Sequence, residues 1–120
     1  MEMRDVIDER INQCFLNGNL SSIKGSPEEG ALVLAPFFEQ NNQQPTYHRA
    51  IIIKPSIKIP SNDSRNIEYA FVRFVDYGNY KEVPQQSLKL IEDECLYIQQ
   101  SNMAVEIVKI PFLAVKYRLV

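Results

Sequence analysis

Phe71-Val72-Arg73-Phe74-Val75-Asp76-Tyr77-Gly78-Asn79-Tyr80-Lys81-Glu82-Val83-Pro84 holds two short β-prone runs on either side of a turn. Aromatic and β-branched residues crowd both runs, as pleated half-buried surfaces favour. Gly78-Asn79 reverses the chain, because glycine takes positive φ without steric cost. Strands are therefore predicted over 68–76 and 80–83, the second stopped by Pro84. Upstream, 31–38 is a short apolar run, and 46–54, centred on Ala50-Ile51-Ile52-Ile53, is a further strand. The polar stretch 39–45 joins those two, and 55–67, with two prolines and Ser61-Asn62-Asp63-Ser64-Arg65-Asn66, leads to the third. Ser87-Leu88-Lys89-Leu90-Ile91 supplies a fifth short strand. Short antiparallel strands with no helix among them predict a small bent sheet closed into a barrel.

The flanks read differently. Over 4–16, Val6, Ile7, Ile11, Cys14 and Phe15 form one helical stripe, with Asp5, Asp8, Glu9 and Arg10 turned mostly to solvent. Asn17-Gly18 closes that helix. Residues 19–30 form a connector in which Ser26-Pro27 permits a short helical turn. Glu92-Asp93-Glu94 precedes Cys95-Leu96-Tyr97-Ile98, read as one short helix with carboxylates at its positive end. Two more strands are predicted at 103–109 and 112–120, around Ile110-Pro111. The sequence thus divides into a helix and connector (1–29), a barrel (30–91) and a short helix with strands (92–120). Because 112–120 ends within a strand pattern, the expectation is an edge that pairs with a second copy, or a piece of a longer protein.

Composition removes several classes of function. At 120 residues, 45% of them hydrophobic, the chain suffices for one modest core and is too short for a Rossmann or TIM-barrel enzyme. The start, Met1-Glu2-Met3-Arg4-Asp5, is not that of a signal peptide, and no apolar run has membrane-spanning length. A net charge of −2 argues against duplex nucleic acid as the ligand. One histidine, His48, and two distant cysteines, Cys14 and Cys95, do not make a zinc set, and the cysteines read as a reduced pair. Asp63, Glu68, Asp76 and Glu82 include no close metal-binding pair, and the C-terminal flank offers only Glu106, Lys109, Lys116 and Arg118. No catalytic residue, cofactor or metal is expected.

The stretch 71–84, with Tyr47-His48-Arg49-Ala50 upstream, resembles the Tudor domain family. Phe74-Val75-Asp76-Tyr77-Gly78-Asn79 is similar to that family's strand-turn-strand hallmark, and the likeness continues through Glu82-Val83 and Leu88. The preceding helix and Ile110-Pro111-Phe112-Leu113-Ala114 resemble the flanks of extended Tudor domains. There the barrel is inserted into a staphylococcal-nuclease-like OB fold. The resemblance implies a mainly β chain with α: a five-stranded antiparallel SH3-like barrel, an N-terminal helix and a partial OB-like flank.

It also implies a site. Family members hold dimethylarginine in a cage of aromatic rings and an asparagine, where aromatic faces attract a soft, poorly hydrated cation by about 0.5–2 kcal/mol each. Position by position, the cage falls on Phe37, His48, Phe74, Tyr77 and Asn79, with Phe38 replacing Phe37 if the 39–45 loop shifts the register. His48 stands where a tyrosine is usual, and Tyr47 where a tryptophan is. Imidazole is a smaller π surface, and imidazolium, which forms toward the ordinary histidine range near pH 6.5, repels a cation. Weak binding that falls with acid is therefore expected. Arg49 and Asp76 would support the cage as an ion pair, and Gly78 as a turn residue; plain core and rim packing is the alternative reading of the aromatics.

The implied role is a non-catalytic adaptor that binds a partner peptide, with or without dimethylarginine, among the ribonucleoprotein components of germline small-RNA (piRNA) pathways. The implied setting is cytoplasmic, in perinuclear or germ granules. The alternatives are an unmodified peptide added to a strand edge, self-association as a homodimer through the edge strand, and single-stranded RNA stacked on the barrel's aromatics. The acidic charge balance counts against RNA.

Overall fold

The computed structural model describes residues 2–38, 44–57 and 67–114. It begins with helix α1, Met3–Leu16. At its end Asn19 N–H bonds the Cys14 carbonyl at 2.9 Å and Gly18 N–H the Phe15 carbonyl at 3.0 Å, with Gly18 at φ +72°. This double closure satisfies carbonyls that the helix end would otherwise leave open. The segment after Ser26-Pro27 is not helical; a turn at Gly30 instead carries the chain into the sheet.

Four antiparallel strands follow in sequential order: β1 (Leu32–Phe37), β2 (Thr46–Ile57), β3 (Tyr69–Phe74) and β4 (Tyr80–Pro84). β2 runs past Lys54 through Pro55 to Ile57, with register shifts on either side of Lys54. Such irregularities bend a strand, which lets a short sheet curl. The inner face buries Val33, Ala35, Ala50, Ile52, Ala70, Val72, Phe74, Val83 and Leu88 as one core.

The expected fifth strand is reduced. Pro84 leads into a 3₁₀ turn, Gln85–Ser87, and only Lys89 pairs across to Leu34, with two reciprocal 2.9 Å bonds. Leu88 points into the barrel core and Ile91 into a second core, so this segment crosses between them instead of running along the sheet. The barrel is consequently left partly unclosed.

The second core joins Ile7, Ile11 and Cys14 of α1 to Leu34, Tyr47, Ile91, Leu96, Ile98, Ile107 and Ile110. Leu34 and Tyr47 lie on the outer faces of β1 and β2. That explains why β1 reads as an unbroken apolar run, since both of its faces are covered.

The helix expected at 92–98 does not form. Tyr97–Gln100 is a strand, β5, hairpinned to β6 (Met103–Glu106). Ser101 and Asn102 adopt φ of 50° and 65° in the two-residue loop, as the right-handed strand twist demands of such hairpins. Asp93 does not cap a helix; its carboxylate accepts from the Ser21 amide at 2.8 Å and the Ser21 hydroxyl at 3.1 Å. The strand expected at 103–109 stops at Glu106, because Ile107–Lys109 forms a 3₁₀ turn that buries Ile107. Residues 112–114 are not strand, and the rest of the predicted 112–120 strand lies outside the described residues.

Candidate functional site

Phe37, His48, Phe74, Tyr77 and Asn79 line one cavity of about 370 Å³, a volume within the usual range of small-ligand sites. The sheet brings them together. Ala35 faces His48 across the β1–β2 ladder and Phe37 faces Thr46, while Ala50 faces Phe74 across β2–β3. The rings meet nearly at right angles: Phe37 to Phe74 at 5.8 Å and 87°, His48 to Phe74 at 6.1 Å and 88°, His48 to Tyr77 at 5.1 Å and 79°. These are the edge-to-face arrangements that aromatic rings prefer, and they set the walls nearly perpendicular to one another. Phe38 is 53% exposed and lines none of it, so Phe37 is the β1 wall.

The turn after β3 sets the last two members. Phe74 N–H bonds the Asn79 carbonyl at 2.8 Å and Gly78 N–H the Phe74 carbonyl at 2.7 Å. Gly78 sits at φ +93°, a conformation side-chain-bearing residues avoid. Tyr77 and Asn79 thereby project at the exposed rim.

Beneath this turn Arg49 and Asp76 are fully buried. Arg49 Nε donates to Asp76 Oδ2 at 2.7 Å, and Nη2 donates to Oδ1. Nη1 donates to the carbonyls of Ile107 and Ile110 at 3.1 and 2.5 Å, and Nη2 to that of Pro111 at 3.0 Å. Five bonds use all five guanidinium N–H groups, which is what a buried arginine requires. Asp76 Oδ1 also accepts from Leu113 N–H at 3.1 Å. The pair therefore ties β2 and the cavity's turn to the C-terminal segment.

The structure corrects the reading of α1's polar face. Asp8, expected in solvent, is 16% exposed and turned onto the cavity walls. Its Oδ1 lies 3.0 Å from His48 Nδ1, and its Oδ2 accepts from the Tyr77 hydroxyl. A carboxylate only accepts, so Nδ1 carries the proton. Nε2, 2.8 Å from Thr46 Oγ1, then accepts from that hydroxyl. If His48 is protonated, Nε2–H donates instead and the threonine hydroxyl turns to the Phe37 carbonyl at 3.4 Å. Both charge states of the imidazole are thus satisfied. Burial, and then the bond to Asp8, push the Tyr77 phenol well above its ordinary range.

Arg10 is also not free in solvent: its Nε donates to the Cys95 carbonyl at 2.8 Å, and its guanidinium stacks 4.7 Å from the Tyr97 ring centroid. No motif marks Asn12 in the sequence. Its Oδ1 accepts from Tyr47 N–H at 2.8 Å and its Nδ2 donates to the Tyr47 carbonyl at 3.2 Å, docking α1 on β2. Asp8 and Asn12 lie one turn apart beside Ile7 and Ile11, a spacing that carries a weak signal at best. Tyr47 itself is core, packed 4.6 Å from Phe15 and bonded through its hydroxyl to the Ser87 carbonyl at 3.0 Å.

The family model for the Tudor domain matches residues 5–120. The chain belongs to the Tudor domain family. It is also 32% identical over 72 residues to the probable ATP-dependent RNA helicase spindle-E of Drosophila persimilis, a match covering 60% of this chain and 4% of that protein. Tudor domains are protein-interaction modules, commonly for methylated residues, and are generally non-catalytic. No helix among the described residues is long and apolar enough to cross a membrane.

Proposed function

We propose that this Tudor domain is a non-catalytic adaptor that binds dimethylarginine in a partner peptide, through the cage of Phe37, His48, Phe74, Tyr77 and Asn79. One observation carries the reading: these five side chains line a single cavity whose rings stand as perpendicular walls. The methylated guanidinium enters with its flat face toward aromatic faces, each contributing about 0.5–2 kcal/mol, and Asn79 accepts the remaining N–H at the rim. Arg49, Asp76 and Gly78 hold the walls in place and do not touch the ligand. Likeness to an RNA helicase by name favours a ribonucleoprotein setting, which the resemblance to extended Tudor domains narrows to small-RNA granules of the germline cytoplasm.

Calorimetric titration with matched Arg-Gly peptides, unmodified and symmetrically dimethylated, tests this on the wild type and Tyr77→Ala. The dimethylated peptide binds more tightly and Tyr77→Ala removes that preference; equal binding of both peptides contradicts the reading. A second mode has its own observation. β4 ends the sheet order, and its outer edge pairs with no other strand among the described residues. An unmodified segment adding there binds through its backbone, regardless of methylation and of Tyr77→Ala.

A further inference from the structure

No wall of the proposed cage carries a formal charge when His48 is neutral, and one carries a positive charge when it is not. The ligand is a cation. Asp8 alters that balance from outside the sheet, since a single carboxylate touches two walls, His48 at Nδ1 and Tyr77 at its hydroxyl. It is mostly shielded from solvent, so its field is less screened than that of a surface carboxylate. Other charges also lie near these walls: from α1, Arg4, whose guanidinium carbon lies 4.7 Å from the Tyr77 ring centroid, and Asp5; from β4, Lys81, whose Nζ lies 5.5 Å from the Phe37 ring centroid. Arg4 is half exposed and makes a loose 3.9 Å pair with Glu2.

We infer that Asp8 is a specificity-determining residue of the cage, supplying the negative charge that selects a cationic ligand and offsets the use of histidine as a wall. With neutral imidazole the Asp8–His48 pair is net negative; with imidazolium it is neutral rather than positive. The helix is then part of the binding site, although every residue of the cage comes from β1, β2 and the β3–β4 segment. This rests on the cage reading above.

The test separates charge from shape. Asp8→Asn keeps the geometry: its carbonyl oxygen accepts from His48 Nδ1–H and its amide donates to Tyr77. The titrated ligand is a capped, symmetrically dimethylated Arg-Gly peptide with no other charge. Asp8→Asn weakens its binding at least tenfold, as removal of one partly shielded charge within about 10 Å of a cation requires at an effective dielectric near 20. Added salt weakens binding to the wild type more steeply than binding to Asp8→Asn. Circular dichroism and thermal melts check that Asp8→Asn is folded. Should it fail to fold, the salt response of the wild type decides, and a flat one overturns the inference. If Asp8→Asn binds as the wild type does, while Tyr77→Ala abolishes binding, Asp8 acts by shape alone and this inference falls without the cage reading. A wild type that binds none of the peptides overturns both.

Discussion

His48 stands where the family's cage has a tyrosine, and its two nitrogens are both engaged in the ring plane, by Asp8 and by Thr46. The ring is therefore fixed as a wall at a defined angle to Phe74 and Tyr77. Nitrogen NMR of the neutral imidazole should show the proton on Nδ1; a proton on Nε2 contradicts the Asp8 contact. Cys14 behaves differently. Burial first, and the neighbouring Cys95 next, push its thiol from 9.0 up to about 12. A neutral thiol is favoured in the folded state, so its contribution to stability is full below pH 9.0 and is lost as the pH climbs toward 12. The raised Tyr77 phenol acts in the same direction. Alkaline unfolding of Cys14→Ala should show a smaller loss of stability over this window than the wild type. Native Cys14 also resists thiol reagents near pH 8, because the thiolate is the reactive form.

The β3–β4 turn owes its shape to Gly78 and its anchorage to Arg49. Gly78→Ala places a side chain at φ +93°, costing about 1–2 kcal/mol in chemical denaturation. An added Cβ meets only Ala114 Cβ, at an ordinary 3.7 Å, so conformation and not crowding sets that cost. Arg49→Ala leaves Asp76 buried without its partner and three carbonyls without donors, a loss of about 3–5 kcal/mol. A change under about 1 kcal/mol would mean that this network is solvated. At this scale the sequence was legible where local chemistry dictates the answer. Asn17-Gly18 announced the helix end, and Gly78-Asn79 the turn. It misled where tertiary contacts decide. Asp93 serves Ser21 rather than a helix end, and the Ser101-Asn102 loop lacks the glycine that usually marks a tight hairpin. The cavity residues could be read only through the likeness to the family's motifs within 37–79, which one sheet brings together. Asp8 could not be, because its partners lie 40 and 69 positions away on other elements.

Two cores share the β1–β2 layer, one inside the barrel and one between its outer face and α1 with the 91–110 segment. Asp8 and Asn12 join the helix to the barrel, through His48 and Tyr77 and through the Tyr47 backbone. Ile11→Ala, at a fully buried position, should cost about 2–5 kcal/mol in denaturant melts; a cost below about 1 kcal/mol would show α1 to be loosely docked. The proposed cage places a methylated guanidinium among the rings of Phe37, Phe74 and Tyr77. The most direct measurement is an NMR titration with a symmetrically dimethylated Arg-Gly peptide, recording contacts between its methyl protons and the protein's rings. Binding in the cage gives methyl contacts to Phe37, Phe74 and Tyr77, with shifts at His48 and Asn79. Contacts confined to the free edge of β4, Tyr80–Pro84, with those rings unmoved, would contradict it.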